Sequence, residues 1–362
     1  MDEEDWFFDS FKRYNELQMF DFPRNVVDID LTSTKNLCVA LEEDSSHKNE
    51  ILIFQLPSAL QPKSNSGFTK LERHLSFDHG YFTESPLVQM KCTSHQDNLI
   101  ISERNGVALF DLTSEDSDII RKVSSIPGEV ECALISVHPL KPNVVLCDGK
   151  IGHRSVVDYE SMNVIFRLED SLRESMIPMF ISTDIVSFGM TSSGCVISHD
   201  IRDGKQTSTL DVKGFSSTSN HWIFSSTFEC CSEPTNANFL YALTDDGLLM
   251  LFDWRNTSEP AQCVIFSSGT KTSDYSSRQM CVCPSNPYHL ALSGFDKNVH
   301  VCEIRDGQVI PVFTHDGHAY CHDEYESNVR SICSKWLNFI SSNTLVSCAS
   351  NASLQCWQYK IS

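Results

Sequence analysis

Residues 243–253 read LTDDGLLMLFD: the end of an apolar run at Leu243, a polar Thr-Asp-Asp-Gly turn, and a second apolar run that ends on Asp253. ISERNGVALFD (101–111) and MTSSGCVISHD (190–200) repeat the arrangement. Two short apolar runs about a tight polar turn are the mark of an antiparallel hairpin. Weaker copies are LCDGKIGHRSVVD (146–158), LSGFDKNVHVCE (292–303) and CASNASLQCWQ (348–358). A seventh lies upstream, where LCVALE (37–42) is followed by a longer polar turn and EILIFQL (50–56).

Seven copies spaced by roughly 40 to 56 residues fill the chain. Each brings two further strands. Residues 26–31, 87–92, 133–138, 176–182, 222–228, 278–283 and 329–336 precede the hairpins as expected inner strands. Residues 71–77, 119–126, 164–168, 207–212, 262–266 and 309–313 follow them as expected outer strands. Four short strands per repeat, with near-continuous β-branched runs that suit burial on both faces, predict an all-β, seven-bladed β-propeller.

The seventh unit lacks an outer strand, since only Lys360, Ile361 and Ser362 follow its last hairpin. An open edge presents unpaired backbone groups, and ring closure removes it. Residues 17–22 are therefore expected to close the ring through blade seven, so that 17–362 form the propeller and 1–16 a short helical extension. Within that extension, 5–16 reads as an amphipathic helix with Trp6, Phe11 and Tyr14 on one side, joined by Phe7 or Leu17. Twelve residues are marginal as a free helix, so it must dock, either on its own propeller or on a partner.

The balance of 48 acidic against 28 basic residues gives a formal net charge of −20. Such a field repels phosphate backbones and argues against direct nucleic-acid binding. It suits basic patches on partner proteins, as it suits a solvated surface with no partner. No run approaches the roughly 18 apolar residues of a membrane-spanning helix, so a soluble protein with no membrane contact is expected. The N-terminus has neither the basic nor the apolar region of a secretory signal, so the 15 cysteines are expected to be reduced thiols, mostly buried.

The last blade carries the residues of a WD repeat: Gly317-His318, then Ser347, Asn351 and Trp357, with Gln358 where Asp is usual. The chain thus resembles the WD-repeat β-propellers, in which His318, Ser347, Asn351 and Trp357 would form a hydrogen-bonded structural tetrad, here with Asn at the turn position. Beyond that class it is similar to the family of WD repeat-containing protein 73, on DWFFDSFKRY (5–14), KNEILIFQLP (48–57), EDSDIIRKVSSI (115–126), LALSGFDKNVHV (290–301), PVFTHDGH (311–318) and TLVSCASNASLQCW (344–357). The resemblance implies a non-enzymatic adaptor, cytoplasmic and found also at spindle poles or in the nucleus. It implies partners in the endonuclease and endonuclease-like subunits of the Integrator RNA-processing complex. The alternative it carries is a microtubule-associated scaffold in cytoskeleton organisation and cell division, with tubulin or microtubule-associated proteins as partners.

Few residues invite chemistry. THDGHAYCHDE (314–324) gathers His315, His318, Cys321 and His322 beside Asp316 and Asp323, all types that zinc accepts. Gly317-His318 is, however, the expected dipeptide linking two blades, and no second ligand pair has zinc-finger spacing. Asp28 and Asp30 are the acidic exceptions on otherwise poor inner strands, and with the His cluster they keep a metal-dependent hydrolase as a third reading. The chain has no GxSxG, GxxxxGK[ST] or HExxH motif. The expectation is no enzyme, no cofactor and no metal. Residues 57–67 and 215–220 read as solvated polar loops, whereas 315–328 is rich in aromatic and charged residues. Candidate partner contacts are therefore Trp6, Phe7, Phe11 and Tyr14 on the helix, and Tyr320 and Tyr325 on that loop.

Overall fold

The computed structural model describes residues 3–57, 60, 74–93, 97–113, 120–125, 133–141, 143–149, 153–169, 176–215, 219–230, 238–266, 278–320 and 329–361. The chain opens with helix α1 (Glu3–Arg13) and strand β1 (Tyr14–Asp21). Blade one follows as β2 (Val26–Leu31), β3 (Leu37–Leu41), β4 (Glu50–Gln55) and β5 (Ser76–Phe82). Blade two is β6 (Leu87–Cys92), β7 (Asn98–Glu103), β8 (Gly106–Asp111) and β9 (Arg121–Ser125); blade three is β10 (Leu134–Val137), β11 (Val144–Asp148), β12 (His153–Asp158) and β13 (Asn163–Glu169). Blade four is β14 (Met176–Phe180), β15 (Ile185–Met190), β16 (Cys195–Asp200) and β17 (Gln206–Asp211). Blade five is β18 (Trp222–Ser226), β19 (Phe239–Thr244), β20 (Leu248–Asp253) and β21 (Gln262–Ile265), with the single-turn helix α2 (Thr227–Cys230) after β18. Blade six is β22 (Gln279–Cys283), β23 (Asn286–Ser293), β24 (Val299–Arg305) and β25 (Gln308–His315). Blade seven holds β26 (Ser331–Trp336), β27 (Thr344–Ala349) and β28 (Ser353–Tyr359), and takes β1 as its fourth strand.

All seven sheets are four-stranded antiparallel meanders, and the first strand of each blade touches the first strand of the next around the whole ring. This is the expected seven-bladed propeller. Its core lies between blades. Every residue of β3, β11 and β27 is buried, because neighbouring blades cover both faces of these strands. One apolar cluster joins Val39 and Leu41 of blade one to Val346, Leu354 and Cys356 of blade seven, across the closure. The Asp-Asp-Gly turn of blade five shows why glycine is required there: Gly247 has φ +88°, and a Cβ would lie 2.1 Å from the Phe266 carbonyl oxygen.

The ring closes as expected, with β1 antiparallel to β28 and Leu17 opposite Trp357. The boundary differs from expectation. The helix ends at Arg13 and the closing strand already starts at Tyr14, with a register shift between Tyr14 and Glu16. Tyr14 is held by distant residues of blades six and seven, described below, and this outweighs the helical periodicity of the sequence. A second difference is β5, expected at 71–77 and found at Ser76–Phe82; residues 71–73 lie outside the described residues. Reciprocal bonds between Asn49 and Thr83 (Asn49 N to Thr83 Oγ1 2.8 Å, Thr83 N to Asn49 O 2.9 Å) fix the register at its far end. A third is the inner strand of blade five, which stops at Ser226 because the Ser226 hydroxyl accepts the Phe228 N–H and starts α2.

Candidate protein-binding surface at the ring closure

Blade seven is held by a chain of buried hydrogen bonds. Trp357 Nε1 donates to Ser347 Oγ (2.9 Å), Ser347 Oγ meets His318 Nε2 (2.8 Å), His318 Nδ1 meets Ser353 Oγ (2.7 Å), and Ser353 donates to Asn351 Oδ1 (2.6 Å). Asn351 Nδ2 then donates to the His318 carbonyl (2.8 Å). The donors fix the tautomer. Because Ser353 spends its proton on Asn351, it accepts from His318 Nδ1–H, so Nε2 is the acceptor of the Ser347 hydroxyl. Burial pushes the His318 pKa down to about 3, so the ring stays neutral as this order requires. The four tetrad positions read from the sequence are thus brought together, with Ser353 inserted as a relay between Asn351 and His318.

His315 stacks on Trp357 at 4.4 Å with the rings 7° from parallel, and its Nδ1 is 2.9 Å from the Tyr14 hydroxyl. Its side chain also hydrogen-bonds Gln355, and burial holds its pKa well below the ordinary range, with His318 and Arg13 adding to the effect. Tyr14 packs edge-on against Phe313, and burial drives its own pKa far upward. His315 and His318 are therefore committed to packing and stand perpendicular, 5.1 Å apart. Cys321, His322 and Asp323 lie outside the described residues. Among the described residues, no group of three or more His, Cys, Asp or Glu side chains is placed to hold a metal ion.

Asp316, the next residue, anchors α1. Trp6 Nε1 donates to its Oδ1 at 2.8 Å, and Arg13 Nη2 reaches the same oxygen at 2.5 Å while Arg13 Nε pairs with Asp9 at 3.1 Å. The Trp6 ring, 4 % exposed, stacks on Tyr320 at 4.7 Å. The C-terminal end of α1 is tied to the chain's other end, where Lys360 N donates to Arg13 O and Lys360 Nζ to Phe11 O, both at 2.8 Å. The helix thus docks on its own propeller, through Trp6 and Ser10 one turn apart.

The other aromatic residues of α1 face outward. Phe7 is 53 %, Phe8 67 % and Phe11 61 % exposed, and Phe7 meets Phe11 edge-on at 4.9 Å. Of the candidate contacts, Phe7 and Phe11 are on the free face, Trp6 and Tyr14 are anchors, Tyr320 borders the helix, and Tyr325 lies outside the described residues. An open groove of about 640 Å³ is lined by Glu4, Trp6, Phe7, Phe8, Met19 and Tyr320. No local sequence pattern marks Phe8 as part of a groove or Asp316 as the anchor of α1. Aromatic residues at 6, 7, 8 and 11 cannot share one helical face, and that spacing signals a helix apolar on two sides.

The inner wall uses its polar groups as staples between blades. Asp28 Oδ2 accepts from Met90 N (3.1 Å) and Asp30 Oδ2 from Cys92 N (2.7 Å), joining blade one to blade two. Gln89 accepts from Ile135 N (2.7 Å) and Asp148 from Met176 N (3.2 Å), repeating the device. Lys335 of blade seven reaches Asp30 at 3.0 Å. Burial raises the Asp28 pKa, whereas for Asp30 the same burial is outweighed by Lys335 and Lys91, and its pKa falls. These carboxylates hold the ring together. Glu229 of α2 extends the pattern: it accepts from the Ser136 hydroxyl and from Phe180 N (2.6 Å), bridging blades three and four from blade five. Burial raises its pKa from 4.5 to about 7. Every cysteine among the described residues is a free thiol, and Cys263 alone of these is exposed. The closest pairs are Cys38–Cys92 (Sγ–Sγ 3.4 Å) and Cys333–Cys348 (3.2 Å).

No family model matches the chain. It is similar to the Integrator complex assembly factor WDR73 of Mus musculus and of Homo sapiens, 27 % identical in each case, over 98 % of this chain and 97 % of the relative. It is 23 % identical to the Xenopus laevis protein of the same description, over 97 % of this chain and 96 % of that one. The similarity therefore covers the helix, the closing strand and all seven blades, on a propeller in which Asp28, Asp30 and Gln89 of the inner strands bond to the next blade.

Proposed function

We propose that this chain is a non-catalytic adaptor that assists assembly of Integrator, and that it binds the paired endonuclease and endonuclease-like subunits of that complex. The observation that carries the reading is the end-to-end similarity to proteins described as Integrator complex assembly factors, which spans 96–97 % of their length. Two features of the molecule support it. The inner wall, where a propeller enzyme would gather free carboxylates, has Asp28 and Asp30 engaged by backbone amides of the next blade. The ring closure offers an exposed aromatic face instead, and large exposed apolar patches mark interaction sites. The adaptor acts in the cytoplasm.

The test is affinity purification of the full chain from a cytosolic extract, with quantitative mass spectrometry. Near-stoichiometric recovery of the endonuclease pair is the expected result. Recovery of tubulin alone, with salt-sensitive pelleting on microtubules, would replace this reading with a cytoskeletal one. The net charge of −20 opposes direct binding to another acidic surface such as tubulin's.

A further inference from the structure

The groove beside α1 has a chemistry of its own. Its walls are the rings of Trp6, Phe7, Phe8 and Tyr320 and the flexible thioether of Met19, and among the described residues its one charged lining residue is Glu4. The first 22 residues hold seven acidic and two basic side chains, and Arg13, one of the two, is engaged by Asp9 and Asp316. The surface is thus apolar at its centre and acidic at the N-terminal end of the helix.

It is also fixed in place. Trp6 and Arg13 converge on Asp316, and Lys360 ties down the last turn of α1, so Phe7, Phe8 and Phe11 are presented on a docked helix. A preordered face loses little conformational entropy on binding. None of the three rings is needed by the core, since each is more than half exposed.

We propose that this groove binds a short segment of a partner protein that presents large aliphatic side chains next to Lys or Arg. Aliphatic side chains fill a cleft walled by aromatic rings and methionine, and the basic neighbours meet Glu4 and the acidic end of α1. The same charge disfavours two other occupants. A second copy of this chain would bring an equally acidic surface, and an anionic bilayer would be repelled. The proposal rests on the protein-binding reading above and deepens it by naming the chemistry of the contact.

The experiment pans a random-peptide phage library on the purified full chain, then measures the selected peptides by fluorescence anisotropy in low and high salt. The comparison proteins are a triple variant, Phe7→Ser, Phe8→Ser and Phe11→Ser, and the single variant Glu4→Lys. The selected peptides are expected to pair aliphatic residues with Lys or Arg, and to bind the triple variant at least about tenfold more weakly. A several-fold loss is expected in Glu4→Lys and in high salt. The unfolding midpoint of the triple variant should match the parent's, which separates lost binding from lost fold.

Selection of peptides that lack either feature, or that bind the triple variant equally well, overturns the proposal. So does a dimer, or sedimentation with phosphatidylcholine–phosphatidylserine vesicles, that the triple substitution abolishes. If the peptides behave as expected while no Integrator subunit co-purifies, the groove assignment stands and the identity of the partner falls.

Discussion

At Asn351 the chain carries an amide where WD repeats place a carboxylate, and the bonds around it explain the choice. Its Oδ1 accepts from Ser353, which a carboxylate could also do, but its Nδ2 donates to the His318 carbonyl, which a carboxylate cannot. Asn351→Asp, although it restores the usual residue, is expected to lower stability by about 1–2 kcal/mol, read from the urea midpoint, because it sets an oxygen against a buried carbonyl. Glu229 supplies a pH-dependent counterpart. Its pKa is raised to about 7 in the folded chain, so between roughly pH 4.5 and 7 the folded state binds a proton that the unfolded state has released. Its contribution is fully present at the acid end of that window and lost as the pH rises through 7. Glu229→Gln keeps the acceptor oxygen without the charge, so it is expected to match the parent near pH 5 and exceed it at pH 8 by on the order of 2 kcal/mol. Equal stability differences at both pH values would show that the carboxyl group does not titrate in this window. The tetrad was legible because Gly317-His318, Ser347 and Trp357 recur at fixed positions in the repeat. Glu229 was not, because its partners Ser136 and Phe180 lie in other blades, 93 and 49 residues away.

Among the elements, the strand bounds follow the same rule. The strands β2 and β6 have the residues read from VVDIDL and LVQMKC, since their alternation is local. The helix end was misplaced because Tyr14 is claimed by His315, 301 residues away, and no local pattern announces that. Two shortened chains separate the roles of α1 and β1. One that starts at Tyr14 keeps the closing strand and is expected to remain soluble, with a loss of about 2–3 kcal/mol from the unburied Trp6 and its bond to Asp316. One that starts at Phe22 exposes the edge of β28 and is expected to aggregate, as size-exclusion chromatography would register. Asp316→Ala tests the anchor alone. Limited proteolysis should then cut within residues 3–13 at least several-fold faster, while the rest of the ring stays resistant.

Over the whole molecule, stability is shared by neighbouring blades, because the apolar clusters and the inner-wall staples both cross from one sheet to the next. Lys335 and Asp30 are the polar counterpart of the strand closure, joining blades seven and one on the inner wall. Lys335→Ala leaves the half-buried Asp30 carboxylate with Lys91 as its remaining cation and is expected to cost about 1.5–3 kcal/mol. Amide hydrogen exchange should show β2 and β26 losing protection together, whereas loss confined to β26 would mean the blades open independently. The closure also sets an order of events during synthesis. Strand β1 pairs with β28, which is made roughly 330–345 residues later. At about 5–20 residues per second, the nascent chain carries Phe7, Phe8, Phe11 and an unpaired strand for on the order of 20–70 s. Strand β1 cannot pair until β28 has been made, so the ring stays open while the intervening blades are being synthesised.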